Sequence, residues 1–142
     1  MQTFLPYANY TKSAQVLDDK RLGKQRVEAL QILKAIYLDN YGWKQHPCVK
    51  MWKDYPESLM MYMDCCIDEW VRRGFQNNMT KSGLTSAKKP HWLGNTRLHL
   101  SHQSNLLQKD YNFYKQYKWS VTDHLNYYWC GYSKQDEDYN GQ

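Results

Sequence analysis

The run Asp18 to Glu28, DDKRLGKQRVE, places four cations, Lys20, Arg21, Lys24 and Arg26, within seven residues and follows them with a carboxylate, Glu28. Packing a helix does not require so much charge, which makes this stretch the leading candidate for a working surface. On a helix, Arg21, Gln25 and Glu28 fall near one face, and Lys24 and Glu28 form an i,i+4 pair. A carboxylate so placed can stabilise a cationic transition state or carry a proton, while the cations hold phosphates. The same pattern also describes a salt-bridged helix surface facing solvent, and residue types alone leave both readings open.

Other chemistry-bearing residues point less sharply. The five histidines form no HExxH pattern and no cluster with cysteines at metal-ligand spacing, so neither a metal nor a cofactor is expected. His99 and His102 are three apart and can share a helix face, whereas His46 and His91 sit beside Pro47 and Pro90. Cys48, Cys65, Cys66 and Cys130 show no disulfide framework and read as reduced, which suits a cytosolic or nuclear setting. The chain is rich in aromatic residues, with 6 Trp, 13 Tyr and 3 Phe, enough to fill a core and still leave rings for a surface. Trp52, Trp70 and Tyr62 are core candidates. Trp43, Trp92 and Tyr10 stand where a nucleobase could stack, near Lys44, Lys88 and Lys89.

The elements that must position these residues read as all-α. In 142 residues there is room for one domain with a moderate core, assigned to residues 1–132, with 133–142 as a polar tail. Thr11 or Ser13 can cap a short turn ending near Leu17, and Asp18 or Asp19 can cap a long helix from about Asp19 to Tyr37. Leu22, Leu30, Leu33 and Tyr37 trace the apolar stripe of that helix. Pro47 can open a short helix through Trp52, and Pro56 the next. From Glu57 to Arg73, the residues Leu59, Met60, Met63, Ile67, Trp70 and Val71 form a broad buried surface, and Gly74 stops the helix. A long polar loop follows to Lys89-Pro90-His91, a substrate-facing or disordered connection. A last major helix spans Thr96 to Lys109, before the aromatic run Tyr111 to Trp119. The expectation is therefore a compact single domain of about three main helices, short additional ones and a long loop.

Charge is uneven. Through Lys118 there are 18 basic against 10 acidic residues, whereas Trp119 to Gln142 carries one basic and four acidic. A basic body of this kind suits a polyanion partner. No signal-peptide pattern, membrane-length apolar run or internal repeat is visible.

The opening MQTFLP, the segment Leu17 to Ala29, and the later HPCVKMW, EWVRRGF and LSHQSNLL together resemble the pyrimidine-dimer DNA glycosylase, or phage endonuclease V, superfamily. The likeness is closer still to a microbial branch that begins MQTFLP and carries LDxKRLGKQRVEA, and its elements cover roughly residues 1 to 118. The resemblance implies an endonuclease-V-like helical fold that excises damaged pyrimidines without a metal. In that family an N-terminal amine attacks the sugar C1′ to form a Schiff base, and a helix glutamate supports glycosidic cleavage and strand-breaking elimination. Glu28 takes the glutamate's place, Arg21 that of a substrate-contacting histidine, and Arg26 and Lys24 stand in for phosphate-binding arginines. The phage enzyme exposes a threonine amine once Met is removed. Here Gln2 follows Met1, so Met removal is not expected and Thr3 has no free amine. The nucleophile is then Met1, or a lysine such as Lys20 or Lys24, or else Glu28 activates water and no imine forms.

On this reading a flipped damaged nucleotide of double-stranded DNA enters a cleft of Met1, Gln2, Thr3 and the basic helix. Lys20, Arg21, Lys24 and Arg26 hold its phosphates, His99 or His102 reaches in from the late helix, and Trp92 stacks. The expected activity is base excision, with or without abasic-site lyase action, by a monomer in the cytoplasm, on a nucleoid or in a nucleus. A non-catalytic nucleic-acid-binding protein and a nucleotide-processing enzyme on the same scaffold are the alternatives.

Overall fold

A computed structural model describes residues 1–132. Its elements are α1 (Tyr10–Val16), α2 (Asp19–Tyr37), α3 (Pro47–Trp52), α4 (Pro56–Arg72), α5 (Thr96–Lys109) and α6 (Tyr111–Tyr114), followed by a 3-10 turn at Lys115–Tyr117. No strand occurs among the described residues. The three long helices are the three expected from periodicity, and the polar tail expected at 133–142 lies outside the described residues.

α2 packs chiefly on α4, and α1 packs on α4 as well. Leu22, Ala29, Ile32 and Leu33 of α2 meet Leu59, Tyr62, Met63 and Ile67 of α4 in one core. Gly23 lies in mid-helix for a packing reason: a Cβ there would stand 2.8 Å from the Trp70 ring. Removing the side chain lets an indole lie against the helix, which outweighs glycine's weak helix propensity.

Several details depart from the sequence reading. Asn9, not Thr11 or Ser13, caps α1, its Oδ1 accepting from Lys12 N at 2.8 Å. Ser13 instead turns inward and exchanges hydrogen bonds with the Tyr7 backbone. Tyr37 and Val71 are exposed rather than buried, because the packed face of each helix rotates past them. The long connection after α4 is pinned down: the Asp64 carboxylate accepts from Ser82 N, Ser82 Oγ and Gly83 N at 2.7–3.0 Å. Lys81 also pairs with Asp68.

After the 3-10 turn the chain runs back across α5. Ser104 Oγ accepts from Leu125 N, Ser101 Oγ from Tyr128 N, and Asn105 donates to Leu125 O. This return brings Tyr127 beside the N-terminal segment. No described helix is long and apolar enough to cross a membrane, and no group of three metal-ligating side chains occurs among the described residues.

Candidate active site

Met1 to Leu5 forms no regular element, yet most of it is buried. A buried irregular backbone must find partners for its polar groups, and here side chains from three helices supply them. From α2, Gln25 Oε1 accepts from Phe4 N at 2.5 Å and Gln25 Nε2 donates to Gln2 O at 2.7 Å. From α4, the Tyr62 hydroxyl lies 2.6 Å from Phe4 O and 2.9 Å from Gln25 Oε1. From α5, His102 Nδ1 accepts from Leu5 N, His99 Nδ1 donates to Leu5 O, and Gln103 donates to Pro6 O. The segment is held as a sheet would hold a strand, but by side chains.

The clamp ends on a carboxylate. Glu28 Oε2 accepts from Gln2 N at 2.9 Å, and Lys24 Nζ stands 3.6 Å from Glu28 Oε1. Above this contact opens a pocket of about 360 Å³ lined by Met1, Gln2, Phe4, Lys20, Arg21, Lys24, Gln25, Glu28, Lys109 and Tyr127. That is at the small end of ligand clefts. Four cationic side chains face one carboxylate in its wall, so the pocket favours an anion.

Arg21 is positioned by an unusual use of Asp18. Asp18 occupies the N-cap position of α2 but makes no side-chain cap bond. Its carboxylate instead accepts from Arg21 at 3.1 Å and from the Tyr114 hydroxyl. Burial alone would raise the Asp18 pKa, but the Tyr114 hydroxyl and Arg21 outweigh it and hold the group below its usual range. Across the pocket, burial and then the Glu28 charge push the Tyr127 phenol up to about 12, keeping it protonated.

The structure brings Met1, Gln2, Lys20, Arg21, Lys24 and Glu28 together, and it sends five other candidates elsewhere. Thr3 is buried, with its hydroxyl accepting from Trp52 Nε1 at 3.0 Å. Arg26 points to the opposite side of α2, over the Trp70 ring at 4.4 Å and bonded to Asn77. Trp92 is a core residue at 2 % exposure, donating its indole N–H to Met51 O and packing edge-on against Trp52. His99 spends both ring nitrogens on backbone, accepting from Gly94 N as well as donating to Leu5 O. His102 is sealed behind Phe4, where burial drives its pKa down to about 3 and keeps it neutral. Both histidines support the N-terminal segment from behind; neither lines the pocket.

Phe4, Lys109 and Tyr127 were not anticipated. Gln25 was placed on the Arg21 and Glu28 face without a role; a glutamine on the buried stripe was the available signal. For Lys109 and Tyr127 no local signal existed, since Lys109, the last residue of α5, reaches the pocket through the packing of that helix, and Tyr127 through the return of the chain across α5.

The family model described as pyrimidine dimer DNA glycosylase matches residues 1–83, which span the N-terminal segment, α1 to α4 and the start of the long connection. No curated protein and no solved structure matches the chain.

Proposed function

The chain belongs to the pyrimidine dimer DNA glycosylase family, and on that premise we propose that it excises a damaged or modified pyrimidine from double-stranded DNA. The observation that carries this reading is the 2.9 Å contact of Gln2 N with Glu28 inside a cation-rich pocket. The start of the chain is held against an enclosed carboxylate, with room beside it for a flipped nucleotide. Arg21, Lys20, Lys24 and Lys109 neutralise the flanking phosphates, and Tyr127 and Phe4 form the apolar wall.

In the proposed chemistry a primary amine attacks C1′ and the damaged base departs with the glycosidic electron pair. Glu28 stabilises the positive charge that develops on the sugar. The sugar ring then opens as the imine forms, its ring oxygen taking a proton. Loss of a C2′ proton to Glu28 allows elimination of the 3′ phosphate. Met1, which would supply an α-amine, and Lys24, which would supply a side-chain amine, both line the pocket. If neither reacts, Glu28 activates water and excision occurs without strand cleavage. The protein acts as a monomer wherever DNA is held.

Borohydride trapping on end-labelled duplex containing a cyclobutane pyrimidine dimer or an abasic site tests this directly. The expected result is a covalent complex whose mass maps to Met1 or Lys24. Base release without a complex points to water. No complex and no cleavage on either substrate overturns the reading, and retained binding would then mark a non-catalytic DNA-binding protein.

A further inference from the structure

We propose that Trp43, outside the pocket, is a stacking platform for an unstacked nucleobase of the bound DNA. This rests on the glycosylase reading above and extends it to a second contact with the same polymer. Trp43 lies in the connection between α2 and α3 and, at 62 %, is the most exposed large hydrophobic residue among those described. Its backbone has φ of +73°, the left-handed region that a bulky side chain rarely enters. Strain of this kind persists where surrounding contacts impose it, and it clusters at functional positions.

The surrounding contacts are visible. Lys44 Nζ donates to Ala35 O at 2.7 Å, tying the turn back to the end of α2. His46 N donates to Trp43 O at 2.9 Å and closes the turn. The indole is thus displayed on a tethered turn.

A line of rings joins this indole to the pocket. Trp43 meets His46 edge-on at 6.2 Å, His46 meets Trp129 at 5.8 Å, and Trp129 meets Tyr127 at 5.5 Å. Tyr127 is a wall of the pocket. The end of α2 beside this turn also exposes Tyr37 and Leu38. Nine residues of helix separate Glu28 from Tyr37, about 14 Å, or about four base steps along a strand. The three ring steps from Tyr127 put Trp43 within about 18 Å of the pocket wall, about five base steps along a strand, so a nucleotide in the pocket and a base on Trp43 fit one DNA strand.

The patch is too small for a protein partner. Tyr37, Leu38 and Trp43 are three side chains, whereas a specific protein interface takes roughly 20–30 residues a side. A single exposed aromatic face next to a lysine is what stacking on one base needs.

The test compares wild type with Trp43→Ala, Trp43→Gly and Trp43→Phe on an abasic-site duplex carrying 2-aminopurine at successive positions from the site. Trp43→Ala is expected to weaken binding about 5- to 150-fold and to abolish a quench of 2-aminopurine that wild type produces at one position. Trp43→Phe should restore most of the affinity. Trp43→Gly should melt at a higher temperature, because the strain is relieved, yet bind as weakly as the alanine variant; a merely structural tryptophan would give no such opposition. Wild-type affinity and quench in Trp43→Ala overturn the role of Trp43 while leaving base excision intact. A wild-type protein that neither binds nor cleaves the duplex overturns both.

Discussion

Two charged regions flank the start of α2, built from the same residue types and put to different ends. Toward α4, Arg73 bridges Glu69 at 3.2 Å and Asp19 at 2.9 Å while donating to Gln15 O at 3.0 Å, and Arg72 closes on Glu69. Here two arginines meet two carboxylates, and the remaining donors of Arg73 seal the end of α1. Toward the N-terminal segment, Lys20, Arg21, Lys24 and Lys109 line a pocket whose carboxylate is Glu28, with Arg21 also paired to Asp18. The first region is a saturated joint between helices; the second keeps an excess of cations open to solvent. Charge density does not separate these two regions, whereas the balance of charge beside a cavity does.

Glu28→Gln probes this contrast most severely. Excision should fall about 10²- to 10⁴-fold, with DNA affinity and melting temperature close to wild type; a variant that loses its fold instead would put Glu28 with the structural joint. Gln25→Leu comes next. It deprives Phe4 N and Gln2 O of their partners, and a displaced N-terminal segment should lower turnover about 100-fold. Unchanged kcat there would mean the clamp does not position the site.

Glu69→Gln should do the converse, removing about 2–3 kcal/mol of stability in urea unfolding while each folded molecule keeps its activity. Acid should then act on both regions by separate routes. The folded pKa of His102 is about 3, against about 6.5 unfolded, so below the unfolded value the unfolded chain takes up a proton that the native state refuses. Stability should fall as pH drops from about 6.5 toward 3. Burial lowers His99 in the same direction. Glu69 is held below its usual range by hydrogen bonds from Arg72, so its contribution is complete above the ordinary carboxylate range and drains only at lower pH. The Glu69→Gln variant should keep the upper limb of the urea midpoint curve and lose part of the lower one; a midpoint flat from pH 7 to 5 would contradict the buried neutral His102. The smallest effects belong to Lys20→Ala and Lys109→Ala, each expected to reduce the slope of log affinity against log salt by about 1.

Much of the fold was legible because helix periodicity is written in three- and four-residue spacings. The bounds of α2 and α5, the proline starts of α3 and α4 and the cluster around Glu28 all follow from neighbours in sequence. Arg26 shows the limit. It sits in the same charged run as Lys24, but the turn of α2 carries it over Trp70, whose place depends on Gly23 and α4. Trp92 shows it again: flanking lysines suggested a surface, and contact with Trp52 put it inside.

The sequence by itself determined the helical segments, the basic character of α2 and the presence of a carboxylate one turn beyond its cations. Only the tertiary structure decided that Met1 to Pro6 would thread between α2 and α5, with Leu5 N bound by His102 some 97 residues away. It also decided which cations would share a cavity with Glu28. The physical reason is that the partner of a buried backbone group depends on which helices pack together, and that choice is made by the whole core rather than by any local spacing.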